Sequence, residues 1–284
     1  MSECSGCSKS GSACSGCASK PKVNEQDIAI ADFLAQVKHK LVVMSGKGGV
    51  GKSTVSVDLA LILAERGYKV GLMDVDLHGP SIATMLGFDK ARVQVLGDQL
   101  LPFHYNDNLE FLSAQGFLAN SDDALIWRGP MKIGAIRQFM SDTRWDPLDY
   151  LIIDCPPGTG DEPLTVIQTI TDAQAVIVTT PQKVALADVR KSLSFCELAH
   201  IPVRGIIENM SGFICPHCHQ KVDIFKSGGG KDLAAEKGLP FLGQIPIDPM
   251  VVAAEDNGSP LDNISPESRT ALDEIVDNIL AADK

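Results

Sequence analysis

No apolar run in this chain approaches the roughly 18 residues that a membrane span needs, so no membrane-spanning segment is expected. The opening residues, MSECSGCSKSGSACSGC, lack the apolar stretch of a secretory signal. Positive charge is scarce as well: 25 Lys and Arg stand against 36 Asp and Glu, a net of −11. So acidic a chain is poorly suited to non-specific binding of DNA or anionic lipid, because both are polyanions. No self-similarity recurs at a period of about 20–50 residues, which argues against a solenoid or propeller. What is present is globular in composition, with 284 residues, 44% hydrophobic and 21% charged. That balance excludes wholesale disorder and fibrous architectures. Eight cysteines without a secretory leader point to a reducing, cytoplasmic setting. They also favour metal or cluster ligation over disulfides.

Residues 1–22 are Cys, Ser, Gly and Lys with nothing to pack a core, and read as a flexible, metal- or cluster-binding tail. Residues 23–37 read as a helical connector, with Ile28, Ala31, Phe33 and Leu34 as its apolar stripe. From residue 38 to 284 short apolar runs alternate with helix-length segments. The runs are Leu41–Met44, Val70–Met73, Leu109–Leu112, Tyr150–Ile153, Ala175–Val178, Val203–Ile207 and Phe241–Ile245; the helical segments include Ser53–Arg66, Leu186–Leu198 and Pro266–Ala281. Several runs are rich in Val and Ile without polar alternation, as strands buried on both faces are. The expected fold is therefore α/β, a doubly wound and mostly parallel sheet in one domain.

The sharpest motif is Gly46-Lys47-Gly48-Gly49-Val50-Gly51-Lys52-Ser53, followed by Thr54, directly after the first strand and opening a helix. This is the phosphate-binding loop in its required context. Glycines let the backbone curl so that N–H groups face phosphate oxygens, and the helix N-terminus adds partial positive charge. Lys52 then reaches the β- and γ-phosphates, and the Ser53 hydroxyl is a Mg²⁺ ligand. A glycine turn with no ligand is the bland alternative, improbable over eight matching positions.

Two apolar strands close on carboxylates, Asp74-Val75-Asp76 and Asp154, the latter followed by Cys155-Pro156-Pro157-Gly158-Thr159-Gly160-Asp161. Ligands bind at strand ends in open α/β sheets, so Asp154 reads as the residue that holds Mg²⁺. Asp74 reads as a turn cap. Asn209, ending another strand, can bond the adenine edge through its amide, with Pro246 and Asp248 beside the base. No Asn-Lys-x-Asp guanine signature is present, which favours ATP over GTP.

Cys215-Pro216-His217-Cys218-His219 is a C-x-x-C knuckle. Two thiolates do not close a four-coordinate site. Either His217 or His219 completes a zinc site, or a second chain supplies another pair. Four further thiols, Cys4, Cys7, Cys14 and Cys17, can wrap a second cluster or a zinc ion. Cys155 and Cys196 stand singly among apolar residues and read as packed.

The second lysine, Lys47, makes the phosphate loop resemble the deviant Walker A of partition ATPases, the nitrogenase iron protein and iron–sulfur carriers. That resemblance implies a homodimer in which Lys47 reaches the partner's nucleotide, and a water-orienting role for Asp76. Together with the Asp-Cys-Pro-Pro-Gly-Thr-Gly-Asp block and the C-P-x-C knuckle, residues 38–265 resemble the Mrp/ApbC iron–sulfur cluster carriers. Membership there implies a 4Fe–4S cluster bridged by Cys215 and Cys218 of two subunits, delivered to apo-proteins after receipt from a donor. It implies an ATP hydrolase that is slow and switch-like, with no nucleic-acid or membrane partner. Two rivals share the loop. A partition or cell-division ATPase needs a basic or membrane-seeking surface, yet residues 266–284 carry five acidic against two basic groups. A nitrogenase-type reductase has its cluster cysteines separated in sequence, unlike this knuckle.

Overall fold

The structure is a computed structural model that describes residues 24–117, 129–215, 217, 218 and 220–283. The chain begins with α1 (Glu25–Ala35), β1 (His39–Ser45), α2 (Lys52–Glu65), β2 (Val70–Asp74) and the single turn α3 (Ile82–Met85). A hairpin, β3 (Gln94–Leu96) and β4 (Gln99–Leu101), precedes β5 (Phe103–Asn106) and β6 (Leu109–Ser113). Then come α4 (Gly129–Ser141), β7 (Tyr150–Asp154), α5 (Asp161–Thr169), β8 (Gln174–Thr179), α6 (Lys183–Leu198) and β9 (Val203–Glu208). A small hairpin, β10 (Phe213–Ile214) and β11 (Lys221–Val222), leads into α7 (Gly229–Lys237), β12 (Phe241–Gln244), α8 (Pro249–Asp256) and α9 (Pro266–Ala281).

All seven apolar runs became strands of one eight-stranded sheet, ordered β12-β9-β8-β1-β7-β2-β6-β5. Every pairing is parallel except β5 with β6. That edge strand escaped the sequence reading because its residues alternate between half-buried and exposed instead of forming an apolar run. Two hydrophobic cores cover the two faces. One gathers residues of α1, α4, α5, α6 and α7, the other α2, α3 and α9. Helix α9 shows how sequence builds its layer: Ser265 caps it by accepting from Ser268 N–H, Pro266 opens it, and Leu272, Ile275, Val276 and Ile279 form a fully buried stripe at helical spacing.

The connector is corrected in two respects. Helix α1 is part of the domain, packed on α4, with Ile30 and Leu34 buried in the main core and Phe33 stacked 6.1 Å from Trp145. Its buried face therefore runs through Ile30 and Leu34, while Ile28 is 48% exposed and Ala31 also faces outward. The tail with Cys4, Cys7, Cys14 and Cys17 lies outside the described residues. No described helix is long and apolar enough to cross a membrane.

Candidate nucleotide site and cysteine knuckle

Parallel strands place their carboxyl ends along one edge of the sheet. Register aligns Asp74 with Asp154 across β2 and β7, and Thr179 with Glu208 across β8 and β9. The loop from Gly46 to Gly51 leaves the central strand β1 at this edge. Its curl depends on two glycines. Gly51 sits at φ +79°, and a Cβ there would lie 2.2 Å from the Asn209 amide nitrogen. A Cβ on Gly46 would lie 2.4 Å from the backbone of Asp188 in α6, so the loop packs against that helix without room for a side chain. Gly158 N–H donates to the Ser45 carbonyl at 2.9 Å, tying the Pro156-Pro157-Gly158 turn to the same loop.

Lys52 and Ser53 open α2 and converge on Asp154. The Lys52 ammonium lies 2.6 Å from Asp154 Oδ2, the Ser53 hydroxyl donates to that oxygen at 2.7 Å, and Ser56 Oγ donates to Oδ1 at 2.7 Å. Burial alone would lower the Lys52 pKa, but Asp154, and beyond it Asp74 and Asp76, outweigh this and hold the ammonium above its ordinary value. Asp74 is fully buried and accepts from Ser113 Oγ at 2.9 Å and from Asp76 N–H at 3.1 Å, the turn cap expected of it. Burial first, and the charge of Asp154 second, push its carboxyl up to about 7. Asp76 is half-buried and close enough to Lys52 for its charge to act on the ammonium. Lys47 makes no ion pair with a described residue, and its carbonyl accepts from Ser45 Oγ at 3.0 Å. A hydroxyl and a carboxylate oxygen held together beside a phosphate loop are the hard donors Mg²⁺ takes, so Ser53 and Asp154 fit that ion.

Beside the loop lies a cavity of about 160 Å³ whose walls include Gly51, Thr54, Asn209, Phe225, Pro246 and Asp248. The residues expected at the base thus share one pocket, though two have other partners too. Asn209 donates from its amide to the Val50 carbonyl at 2.9 Å. Asp248 caps α8 by accepting from Met250 N–H at 2.9 Å and also accepts from Ser265 N–H at 2.9 Å, so it shapes the pocket wall. Sequence reading missed the Glu255 and Asp58 carboxyls that line the same cavity. Thr54 Oγ1 donates to Glu255 at 3.2 Å, and burial pushes Glu255 up to about 7. Their signal, acids within otherwise apolar helix faces, was there to be read.

The knuckle is the tip of the β10–β11 hairpin, closed by Cys215 N–H donating to the Gln220 carbonyl at 3.1 Å. Cys215 is half-buried, while Cys218 and His217 are exposed; Pro216 and His219 lie outside the described residues. Backbone N–H groups of Cys218 and His217, with the Cys218 thiol, hold the Cys215 thiol below its ordinary value, favouring the thiolate that binds metals. Among the described residues, no group of three or more His, Cys, Asp or Glu gathers as a metal site. Cys155 and Cys196 are fully buried, and burial pushes both thiols up, Cys196 to about 11.

Residues 36–280 match the family model described as ParA: NUBPL iron-transfer P-loop NTPase. The iron-sulfur cluster carrier protein of Methanocaldococcus jannaschii is 46% identical over 269 residues, 92% of this chain and 91% of its own. The cytosolic Fe-S cluster assembly factor Nubp2 homolog of Drosophila melanogaster is 49% identical over 245 residues, 84% of this chain and 94% of its own. A nucleotide-binding protein of Archaeoglobus fulgidus, solved in complex with ADP, aligns at TM-score 0.73 and 39% identity, covering 82% of this chain and 91% of that one. The septum site-determining protein MinD of Pyrococcus horikoshii aligns at TM-score 0.61 over 87% of this chain and 96% of its own, but at 22% identity it shows a shared fold alone. With its strand-end carboxylates, its phosphate loop and its match over nearly the whole domain, the chain belongs to the ParA-type NUBPL iron-transfer P-loop NTPases.

Proposed function

We propose that this protein is an ATP-dependent iron–sulfur cluster carrier that holds a 4Fe–4S cluster between the Cys215–Cys218 knuckles of a homodimer and delivers it to apo-proteins. The observation that carries this is the placement of the knuckle: its hairpin leaves the sheet immediately after Asn209, the residue bonded to the phosphate loop at Val50. Cluster and nucleotide would therefore sit on one continuous stretch of backbone. The names of the relatives, iron-sulfur cluster carrier and cytosolic Fe-S cluster assembly factor, support the same reading and a cytosolic location. One knuckle offers two thiolates where a 4Fe–4S cluster takes about four, and a two-fold axis supplies the second pair.

ATP is the substrate of the phosphate loop. Lys52 leaves Asp154 for the β- and γ-phosphates, while Ser53 and Asp154 remain to hold Mg²⁺, whose chemistry is to neutralise phosphate charge. Lys47, without an ion-pair partner among the described residues, would meet the partner's nucleotide as charge develops at the γ-phosphate. Asp76, near Lys52, orients the attacking water. Hydrolysis is slow because it times a conformational cycle.

The test is anaerobic iron and acid-labile sulfide analysis of the full-length chain with Cys4, Cys7, Cys14 and Cys17 replaced by Ser. About four irons per dimer and a 4Fe–4S absorption band are expected. Adding Cys215→Ala and Cys218→Ala should abolish both the band and transfer to an apo-acceptor while ATP still binds. Zinc in place of iron after strictly anaerobic preparation, or a cluster that survives the double substitution, would overturn the reading.

A further inference from the structure

The two feet of the cysteine knuckle are both fastened to one carboxylate. Glu208 ends β9 and is fully buried, and among the described residues no lysine, arginine or histidine bonds to it. On the outgoing foot, Ser211 Oγ donates to Glu208 Oε1 at 2.6 Å. On the returning foot, Gly228 N–H donates to Oε1 at 2.7 Å and Gly230 N–H donates to Oε2, so the same carboxylate caps the N-terminus of α7. Gln244 of the neighbouring strand β12 adds a fourth bond at 3.0 Å, and the Ser211 and Ser227 hydroxyls join the two feet at 3.0 Å. The next residue after Glu208 is Asn209, whose amide grips Val50 in the phosphate loop. Between them and the cysteines stand Met210 and Gly212, both in the left-handed region at φ 55° and 82°. The Gly212 carbonyl accepts from Ile247 N–H at 2.7 Å, next to Pro246 and Asp248 of the base pocket.

A buried carboxylate ringed by four donors is not explained by nucleotide chemistry, since those donors come from the hairpin feet, the start of α7 and β12 and none from the phosphate loop. We propose that Glu208 is a positioning residue: it clasps residues 211–228 shut and transmits nucleotide binding, felt at Asn209, to the spacing and exposure of Cys215 and Cys218. The proposal rests on the cluster-carrier reading for its biological meaning, but the mechanical link stands on geometry alone. Charge-assisted hydrogen bonds to a buried acceptor are the strong ones, so the clasp is a stiff joint between two adjacent residues of one strand end.

Hydrogen–deuterium exchange of the full-length, metal-free protein tests it, following amides of residues 213–225 with and without ATP. In the wild type, ATP should change their exchange. In Glu208→Gln, and in the milder Ser211→Ala that spares the α7 cap, exchange should be about tenfold faster, the effect of one lost charge-assisted bond on an opening equilibrium. It should no longer respond to ATP, while the ATP affinity stays within about twofold, since neither residue touches the nucleotide site. An ATP response retained in both variants would overturn the proposal. So would a parallel loss of ATP binding, which would mean that Glu208 merely holds the fold together. Anaerobic cluster-loss rates in the same proteins separate the two readings. A wild type that shows the exchange coupling yet never holds a cluster would sink the carrier function and leave the clasp intact.

Discussion

Asp74 and Asp154 face each other across β2 and β7, both fully buried, with Lys52 as the cation beside them. Asp74→Asn is the perturbation that isolates this arrangement. Ser113 Oγ and Asp76 N–H both bond to the carboxyl, and a carboxamide can keep each, since a hydroxyl can accept as well as donate. What disappears is the titration. Asp74 moves from 3.8 to about 7 on folding. Between those values the folded state holds a proton that the unfolded state has released, so stability falls as pH rises through this window. The penalty is absent below the unfolded value and complete above about 7. At ~1.4 kcal/mol per pH unit its upper bound is ~4 kcal/mol. Local relaxation raises the effective dielectric, so we expect ~1–3 kcal/mol. Urea unfolding of the nucleotide-free protein at pH 5 and pH 8 is the assay. At pH 5, where about a third of the penalty has developed, the variant, nearly isosteric with the protonated acid, should be slightly the more stable of the two; at pH 8 its advantage should reach the full value. Glu110 and Glu255, each also raised to about 7, tilt the wild-type profile in the same direction, so only the difference between the two proteins reports Asp74. An equal stability difference at both pH values, or a variant weaker at pH 8, would refute the reasoning.

Lys52→Ala should abolish tight ATP binding measured by calorimetry, whereas Lys47→Ala should leave binding largely intact and remove most hydrolysis; equal loss of binding would erase the distinction between the two lysines. Deleting residues 1–22 should leave a folded, ATP-binding protein with less bound metal, and unfolding by circular dichroism would show that the tail belongs to the core. Ile275→Ala, in the fully buried stripe of α9 against Gly243 of β12, should lower stability by ~2–5 kcal/mol through the cavity it opens. A loss under ~1 kcal/mol would mean that the site collapses freely.

The sequence alone determined the sheet, because strands buried on both faces cannot alternate polar and apolar residues, and each such run proved to be a strand. The phosphate loop was legible too, since Gly46 to Ser53 carries its chemistry in contiguous backbone, as was the C-x-x-C spacing of Cys215 and Cys218. The exposed edge strand β5 carried no such pattern, and the buried face of α1 was decided by where α4 lies, not by local periodicity.

What joins distant residues was decided only by tertiary structure. Nothing local in Asp74 or Asp154 says that β2 and β7 are neighbours in register, yet that adjacency is what drives one carboxyl up to about 7. Asp248 was legible as a candidate beside the base, but its helix cap and its bond to Ser265 depend on how α8 and α9 fold back. Glu208 reads in sequence as the polar end of an apolar strand. Its four donors come from residues 211, 228, 230 and 244, and only the return of the chain past β9 brings them to one carboxylate. A pattern along the chain records which face of an element is buried; which partner is buried against it is settled by packing, where a hydrogen bond or a charge acts over a few ångströms irrespective of sequence separation.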